Sequence, residues 1–161
     1  MRVPHRLAVA TLAVMSWPVA VWAQTPAPPP YGPAITLDLA KKVAAGAEAE
    51  AKKNGFTMVI VVVDTAGQLT YFERIDNTQV ASIDIAQAKA RSANDFKRTT
   101  KAMEDQLAGG RTAVLALPHA LPVEGGIPLM QDGRIIGAIG VSGGTSAQDG
   151  QVAAAGAAVL K

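Results

Sequence analysis

Gly125–Gly150, with the sequence GGIPLMQDGRIIGAIGVSGGTSAQDG, is the stretch that decides the fold. Two apolar runs, Ile127–Met130 and Ile135–Val141, flank the pair Asp132-Gly133. An Asp-Gly pair between such runs favours a hairpin with a type I′ turn, because that turn needs positive φ at both central residues. The stretch therefore predicts a β-hairpin, followed by a glycine-rich loop and an alanine-rich helix.

Glycines inside and after the second run raise the question of what lies against them. Gly137 and Gly140 would weaken a strand interior, so they indicate that a helix, a ligand or another backbone comes close. The loop Ser142–Gly144 then leads into the last helix, where free N–H groups and the helix dipole favour an anion. A tight strand-to-helix turn without a ligand explains the same loop, and the sequence leaves both alternatives open.

The first 23 residues have the features of a secretory signal peptide. Arg2 and Arg6 begin it, Leu7–Met15 is its apolar core, and Val21–Ala23 is the cleavage signal. The apolar core is too short for a membrane-spanning helix, which takes about 20 residues. We predict cleavage after Ala23, no membrane insertion of the mature chain, and a periplasmic or secreted location.

Two further segments follow the predicted cleavage point. Residues 24–34 contain five prolines and are predicted to form an extended linker. Residues 35–161 are predicted to form one domain, because a chain of this length can bury roughly two-thirds of its unfolded surface.

The composition of the mature chain excludes several classes of function. Without Arg2 and Arg6 its 13 basic residues balance 13 acidic ones, and it has no basic stripe with interleaved aromatic residues, so nucleic acid is not expected as a partner. Cysteine is absent, which excludes disulfides and thiolate metal sites. His119 is the only histidine left after cleavage, which excludes multi-histidine zinc sites, and no structural metal is expected.

The remaining residues predict helices and a second hairpin. In chain order these are a helix capped by Thr36 and ended by Asn54-Gly55, a buried strand at Phe56–Val63, a partner strand at Gln68–Glu73, a small-residue helix from Ser82 or Asp84 to about Phe96, and a short helix ended by Gly109-Gly110. Hairpins rather than helical crossovers join the strands. The predicted fold class is therefore α+β, with a mainly antiparallel sheet and helices packed on it.

Gly140–Gly144 matches the G-x-S-x-G pattern of serine hydrolases, but the other catalytic residues are missing. In α/β-hydrolases the acid and the histidine follow the nucleophile in the chain. No histidine follows Ser142, and the predicted sheet is not parallel. We therefore interpret this motif as a structural turn.

Several motifs form a set that extends over most of the predicted domain. They are Arg74-x-Asp76, Ser82, Ala86-x-x-Lys89-Ala90, Gly125-Gly126-x-Pro128, Gly133, Ile136–Gly143 and Asp149. Together they resemble the GlcG/HbpS-like family of haem-degrading domains, which includes the C-terminal domain of the PduO proteins. The resemblance spans about residues 35 to 161. It implies a profilin-like α+β fold with about five strands, assembly into homo-oligomers, and binding of haem or a related tetrapyrrole.

The resemblance also indicates candidate cofactor-binding residues, which are Arg74, Asp76, Lys89, Gly125, Gly126, Ser142 and Gly143. In one interpretation, Lys89 and the amides after Ser142 receive carboxylates, either haem propionates or a small anionic ligand such as an organic acid. In the other, Lys89 and an aspartate form a structural pair that connects a helix to a loop. Neither interpretation is preferred on the sequence alone.

Few residues could ligate iron. His119 lies in a loop between Pro118 and Pro122, which would leave it exposed enough to bind a metal, although a lone histidine is often an ordinary surface residue. Met103, Met130 and Tyr71 are alternative ligands, and each suits packing equally well.

Three functions are compatible with these observations. The leading hypothesis is an exported haem-binding protein that stores, carries or senses the cofactor. The second is an enzyme of haem breakdown or of small hydroxy- or keto-acid turnover, which is less favoured because general acid–base groups are few. The third is a non-catalytic accessory subunit of an oligomer.

Overall fold

The computed structural model describes residues 27–161, so the predicted signal peptide lies outside the described residues. The elements are α1 (Leu37–Lys53), β1 (Val59–Asp64), β2 (Leu69–Arg74), α2 (Ser82–Phe96), α3 (Thr100–Ala108), a 3₁₀ helix (Thr112–Ala116), β3 (Gly126–Gln131), β4 (Arg134–Ser142) and α4 (Ser146–Ala158). Their order confirms the predicted series of helix, hairpin, two helices, hairpin and helix. Within residues 27–161, every helix is too short or too polar to cross a membrane.

One antiparallel sheet contains the strands in the order β2-β1-β4-β3, which confirms the α+β class. The described residues form four strands where about five were expected. The apolar run around Val114 does not add a strand, since it is short, ends at Pro118 and forms the 3₁₀ helix.

Local signals in the sequence determine the turns and helix ends. Asp132 and Gly133 have φ values of 49° and 72°, as a type I′ turn requires. A capping box begins α4: the Thr145 side chain accepts a hydrogen bond from the Gln148 backbone N–H, and the Gln148 side chain accepts one from the Thr145 backbone N–H. Gly55 has a φ of 69° just after the C-cap of α1, the left-handed conformation predicted for it.

The two faces of the sheet are covered unequally. Helices α1 and α4 pack on one face, where Ile60 and Val62 are buried, whereas α2 packs on the other, over Val61 and Val63. A helix is about 10 Å wide and neighbouring strands lie about 4.8 Å apart, so one helix cannot cover four strands. Helix α2 lies mainly over β4, β1 and β3, and the same face of β2 stays open to solvent.

The end of the proline-rich segment docks on the sheet, a contact that its composition did not indicate. Tyr31 forms a parallel bridge with Ile135 at the start of β4. The Ile135 N–H donates to the Pro30 carbonyl at 2.9 Å, and the Gly32 N–H donates to the Ile135 carbonyl at 2.7 Å. The Tyr31 hydroxyl donates to the Asn94 carbonyl of α2 at 2.7 Å, so this segment joins β4 to the end of α2.

Candidate functional site

The glycines inside β4 lie against the protein's own backbone. A Cβ added at Gly140 would lie 2.1 Å from the carbonyl oxygen of Ala86 on α2. A Cβ at Gly137 would lie 2.2 Å from the carbonyl oxygen of Val63 on β1. Of the neighbours that the sequence left open, the structure therefore shows a helix at one glycine and another strand at the other.

Lys89 is buried and forms an ion pair. Its Nζ lies 2.6 Å from Oδ2 of Asp149, and the two side chains are 1% and 4% exposed. The second oxygen of Asp149 accepts the Gly144 N–H at 3.0 Å. Burial raises the pKa of Asp149, and the hydrogen bonds from Lys89 and Gly144 oppose that rise. The pair connects α2 to the first turn of α4, and Asp149 is bonded in turn to Gly144 in the loop before α4, which agrees with the structural interpretation of Lys89.

The anion-binding position predicted at the start of α4 is filled by the chain itself. The Gly144 N–H donates to Asp149, and the Thr145 N–H donates to Oε1 of Gln148 at 2.9 Å. The Gln148 N–H donates in turn to Oγ1 of Thr145 at 3.3 Å. These side chains satisfy donors that would otherwise attract an external anion.

The other predicted residues of the glycine-rich hairpin are also packed. Two of them form hydrogen bonds: the Gly126 N–H donates to the Thr100 hydroxyl, and the Ser142 hydroxyl donates to the Ser82 hydroxyl. The other two are in close contact with neighbouring atoms, Gly125 with the Lys89 side chain and Gly143 with the Thr57 carbonyl. The protein's own atoms therefore occupy the space beside these glycines in this structure, and the assignment of these four residues to cofactor binding stays a prediction.

Arg74 and Asp76 are exposed at the end of β2 and in the turn that follows. The Arg74 guanidinium donates to the Thr78 carbonyl at 2.6 Å and so closes this turn. The structure places both residues outside the hydrogen-bonded cluster of Lys89 and Asp149.

An open cleft lies where α2 leaves β2 uncovered, and we refer to it as the β2–α2 cleft. Its volume is about 470 Å³, which falls in the range of small-molecule sites. Val63 and Leu69 supply apolar surface from the β1–β2 hairpin, and Gln87 and Arg91 line it from α2. His119 completes the lining. The cleft thus combines apolar surface, a cation and an imidazole.

The imidazole of His119 is oriented by a carboxylate. Nδ1 lies 3.3 Å from Oδ2 of Asp95, and the histidine side chain is 61% exposed. A carboxylate at Nδ1 favours the tautomer that carries its proton there, which leaves the lone pair of Nε2 for a metal or a proton. The loop therefore exposes His119, and its role as an iron ligand stays a prediction.

Sequence reasoning missed the cleft residues of α2. Asp84, Gln87 and Arg91 line the cleft. They recur every three or four positions, as does Asp95, which contacts His119, so all four share one face of the helix. On a helix otherwise rich in small residues, this polar stripe was the signal that could have identified them.

The alternative iron ligands have other surroundings. Met103 is buried and accepts the Ser92 hydroxyl at 3.4 Å, while the Tyr71 hydroxyl donates to Glu73 at 3.1 Å. Met130 lines a smaller apolar hollow of about 320 Å³ between β3 and α4. Met103 and Tyr71 thus pack as structural residues.

A family described as haem-degrading protein HbpS-like matches residues 35–158. The chain belongs to the HbpS-like family. Among curated members, GlcG of Escherichia coli K12 is 43% identical over 108 residues, which cover 67% of this chain and 81% of GlcG.

Solved HbpS-like structures share the fold over most of their length. A double mutant of HbpS from Streptomyces reticuli has a TM-score of 0.73 and 30% identity, covering 96% of this chain and 99% of HbpS. A crystal structure described as a PduOC:heme complex has a TM-score of 0.72 and 25% identity, covering 80% of this chain and 96% of that one. These matches confirm the family resemblance found in the sequence motifs.

Proposed function

We propose that this HbpS-like protein is an exported haem-binding protein that holds the cofactor in the β2–α2 cleft. The proposal rests on the position of His119, which lines the cleft while its Nδ1 is hydrogen-bonded to the Asp95 carboxylate. The haem named in the description of the related PduOC structure and the haem-related description of the family support the same class of ligand.

The residues of the cleft fit the chemistry of a haem. Val63 and Leu69 offer apolar surface to the ring, and the Leu69 side chain is 54% exposed. Arg91 offers a guanidinium to a propionate, since Arg pairs with carboxylates through two parallel hydrogen bonds. His119 offers Nε2 to the iron.

A bound haem would supply redox-active iron, and the chain would determine how that iron is held. Asp95 orients the His119 ring and makes Nε2 a stronger electron-pair donor to a metal. The open side of the cleft leaves one edge of a flat ligand accessible to solvent. This arrangement suits storage, transport or sensing of haem.

Replacing His119 with alanine is expected to weaken hemin binding at least tenfold, because losing even the hydrogen-bonding partner of a metal ligand typically lowers affinity about 10- to 100-fold. Purified protein should give a saturable, shifted Soret band on titration with hemin, and H119A should lose the shift. Free imidazole should restore the shifted band in H119A, because it replaces the missing ligand without repairing any other contact.

Arg98→Gln is a suitable control for Arg91→Gln. Both arginines are exposed, and Arg98 lies seven residues after Arg91, just beyond the end of α2, but only Arg91 lines the cleft. R91Q should weaken hemin binding and R98Q should not. If wild-type absorbance equals that of free hemin, haem binding is disproved; if H119A binds like the wild type, the ligand assignment is wrong.

Haem breakdown is a second candidate function, favoured by the description of the family. Adding a reductant and oxygen to the hemin complex should then cause a progressive loss of the Soret band. A rate of loss no greater than that of hemin without protein would remove this candidate.

Export is supported by the sequence of the first 23 residues. Mass spectrometry of the protein from the periplasmic fraction of its host should find a chain beginning at Gln24. Light scattering on the same material tests the expected homo-oligomer, and a monomer at micromolar concentration would contradict it.

A further inference from the structure

The last turn of α2 contains the carboxylate that orients the cleft histidine, and two contacts from outside the helix hold this turn in place. The Tyr31 hydroxyl donates to the Asn94 carbonyl at 2.7 Å. The side-chain amide of Asn94 donates to the Thr65 carbonyl, in the turn between β1 and β2, at 3.2 Å. The docked proline-rich segment and the β1–β2 hairpin are therefore both joined to the residue that precedes Asp95.

The amide of Asn94 also holds the Asp95 carboxylate. It donates a second hydrogen bond to Oδ1 of Asp95 at 3.1 Å, and Asn94 is 1% exposed. The other oxygen of Asp95, Oδ2, lies 3.3 Å from Nδ1 of His119. The carboxylate is thus held through one oxygen and contacts the imidazole through the other. A continuous series of contacts leads from Tyr31 through Asn94 and Asp95 to His119.

The orientation of the Asn94 amide is determined by its two acceptors. A reversed amide would place Oδ1 against the Thr65 carbonyl and the Asp95 carboxylate, which accept hydrogen bonds and cannot donate them. In the observed orientation Oδ1 is buried and has no hydrogen-bond partner among the described residues. An unsatisfied buried acceptor costs free energy, so an asparagine here favours a positioning role over a purely stabilising one.

Tyr31 is itself held at the end of α2. Nζ of Lys97, the C-cap residue of α2, lies 4.2 Å from the centre of the Tyr31 ring, a cation–π contact. Burial and the negative charge of Asp95 raise the pKa of Tyr31, which keeps its hydroxyl protonated as a donor. The docked segment therefore contacts the helix end that contains Asp95 through both the ring and the hydroxyl of one tyrosine.

We infer that Tyr31 and Asn94 are positioning residues that hold Asp95, and through it His119, so that the β2–α2 cleft is complete only while the proline-rich segment is docked. The effect on ligand affinity rests on the proposed function. The effect on the His119 ring does not, because it concerns only contacts within the chain.

Nitrogen NMR of the His119 imidazole tests the effect on the ring, without ligand and at about pH 8, where an ordinary histidine is neutral. The spectrum of H119A identifies the signals. In the wild type the ring proton should be mainly on Nδ1, because the Asp95 carboxylate accepts it there. Asn94→Leu should shift the proton towards Nε2, the form that free histidine prefers in water, since leucine has a similar volume but donates nothing to Asp95.

Tyr31→Phe is a milder variant, because it removes one hydroxyl and keeps the ring beside Lys97. It should shift the tautomer in the same direction as N94L and by a smaller amount. Tyr71→Phe is the matched control, since it removes the chain's other tyrosine hydroxyl, which donates to Glu73 on the α1 side of the sheet. Y71F should keep the wild-type tautomer, even where it lowers stability as much as Y31F.

Two results of the NMR experiment would overturn the inference. One is a wild-type tautomer in Y31F and N94L alike. The other is a shift in Y71F equal to that in Y31F, because loss of any tyrosine hydroxyl would then have the same effect. Y31F decides the question alone if N94L does not fold.

Hemin affinity tests the coupling to the cleft. Y31F and N94L should each bind hemin severalfold more weakly than the wild type. Neither should weaken binding further when H119A is already present, because both act through that imidazole. A loss of the same size in both backgrounds would contradict the positioning role. If the wild type does not bind hemin at all, the proposed function fails and the NMR result still decides the effect on His119.

Discussion

Replacing Lys89 with methionine is expected to lower the free energy of unfolding by about 3–5 kcal/mol. Methionine keeps most of the buried aliphatic volume, but it leaves the Asp149 carboxylate without its cation. An unpaired buried charge is far more costly than a pair, because water can no longer solvate it. Urea denaturation at neutral pH would measure the loss.

Two further variants separate charge from packing in this experiment. K89M combined with Asp149→Leu should recover much of the stability, since replacing both members of a buried pair by apolar residues is often neutral. Lys101→Met is the surface control, because Lys101 pairs with Asp105 in solvent and should change stability little. Equal losses for K89M and K101M would contradict a buried ion pair.

Replacing Gly140 with alanine is expected to destabilise the protein by about 3 kcal/mol or more, at the upper end of the range for overpacked cores. The new Cβ would lie 2.1 Å from the Ala86 carbonyl oxygen and 2.5 Å from the Ala90 nitrogen. Both atoms belong to the backbone of α2, so the whole helix must move away from β4. Thermal unfolding followed by circular dichroism would detect the loss.

Gly46→Ala makes the same chemical change where the neighbour can move. Its added Cβ would meet the Cγ2 of Val159, a half-exposed side chain near the end of the chain. Alanine also favours a helix over glycine by up to about 1 kcal/mol. G46A should therefore be close to neutral, and a G140A variant as stable as G46A would show that α2 does not pack tightly on β4.

The fold could be predicted because its signals are local. The Asp132-Gly133 turn, the Thr145 and Gln148 capping box and the unbroken apolar run of β1 each act within a few residues. Strands joined by a short hairpin turn pair in the antiparallel direction, so the type of sheet follows from these local elements and not from the packing of the helices.

The surroundings of the glycines, the buried ion pair and the β2–α2 cleft could not be predicted in the same way, because they depend on which elements pack against each other. The sequence shows that Gly140 needs a close neighbour but not that the neighbour is α2. Lys89 lies 60 residues from its partner Asp149, and no local pattern specifies that distance in space. The β2–α2 cleft exists because one helix is too narrow for the sheet, which is a property of the assembled layers.

The docked segment Pro30–Gly32 has a practical consequence for anyone who shortens the chain. A recombinant protein that begins at Ile35, where the family match begins, would leave the N–H and carbonyl of Ile135 without their partners. Exposed strand backbone of this kind recruits other chains and promotes aggregation. Expression should therefore start before Pro30, so that the purified sample stays monodisperse enough for the titrations described above.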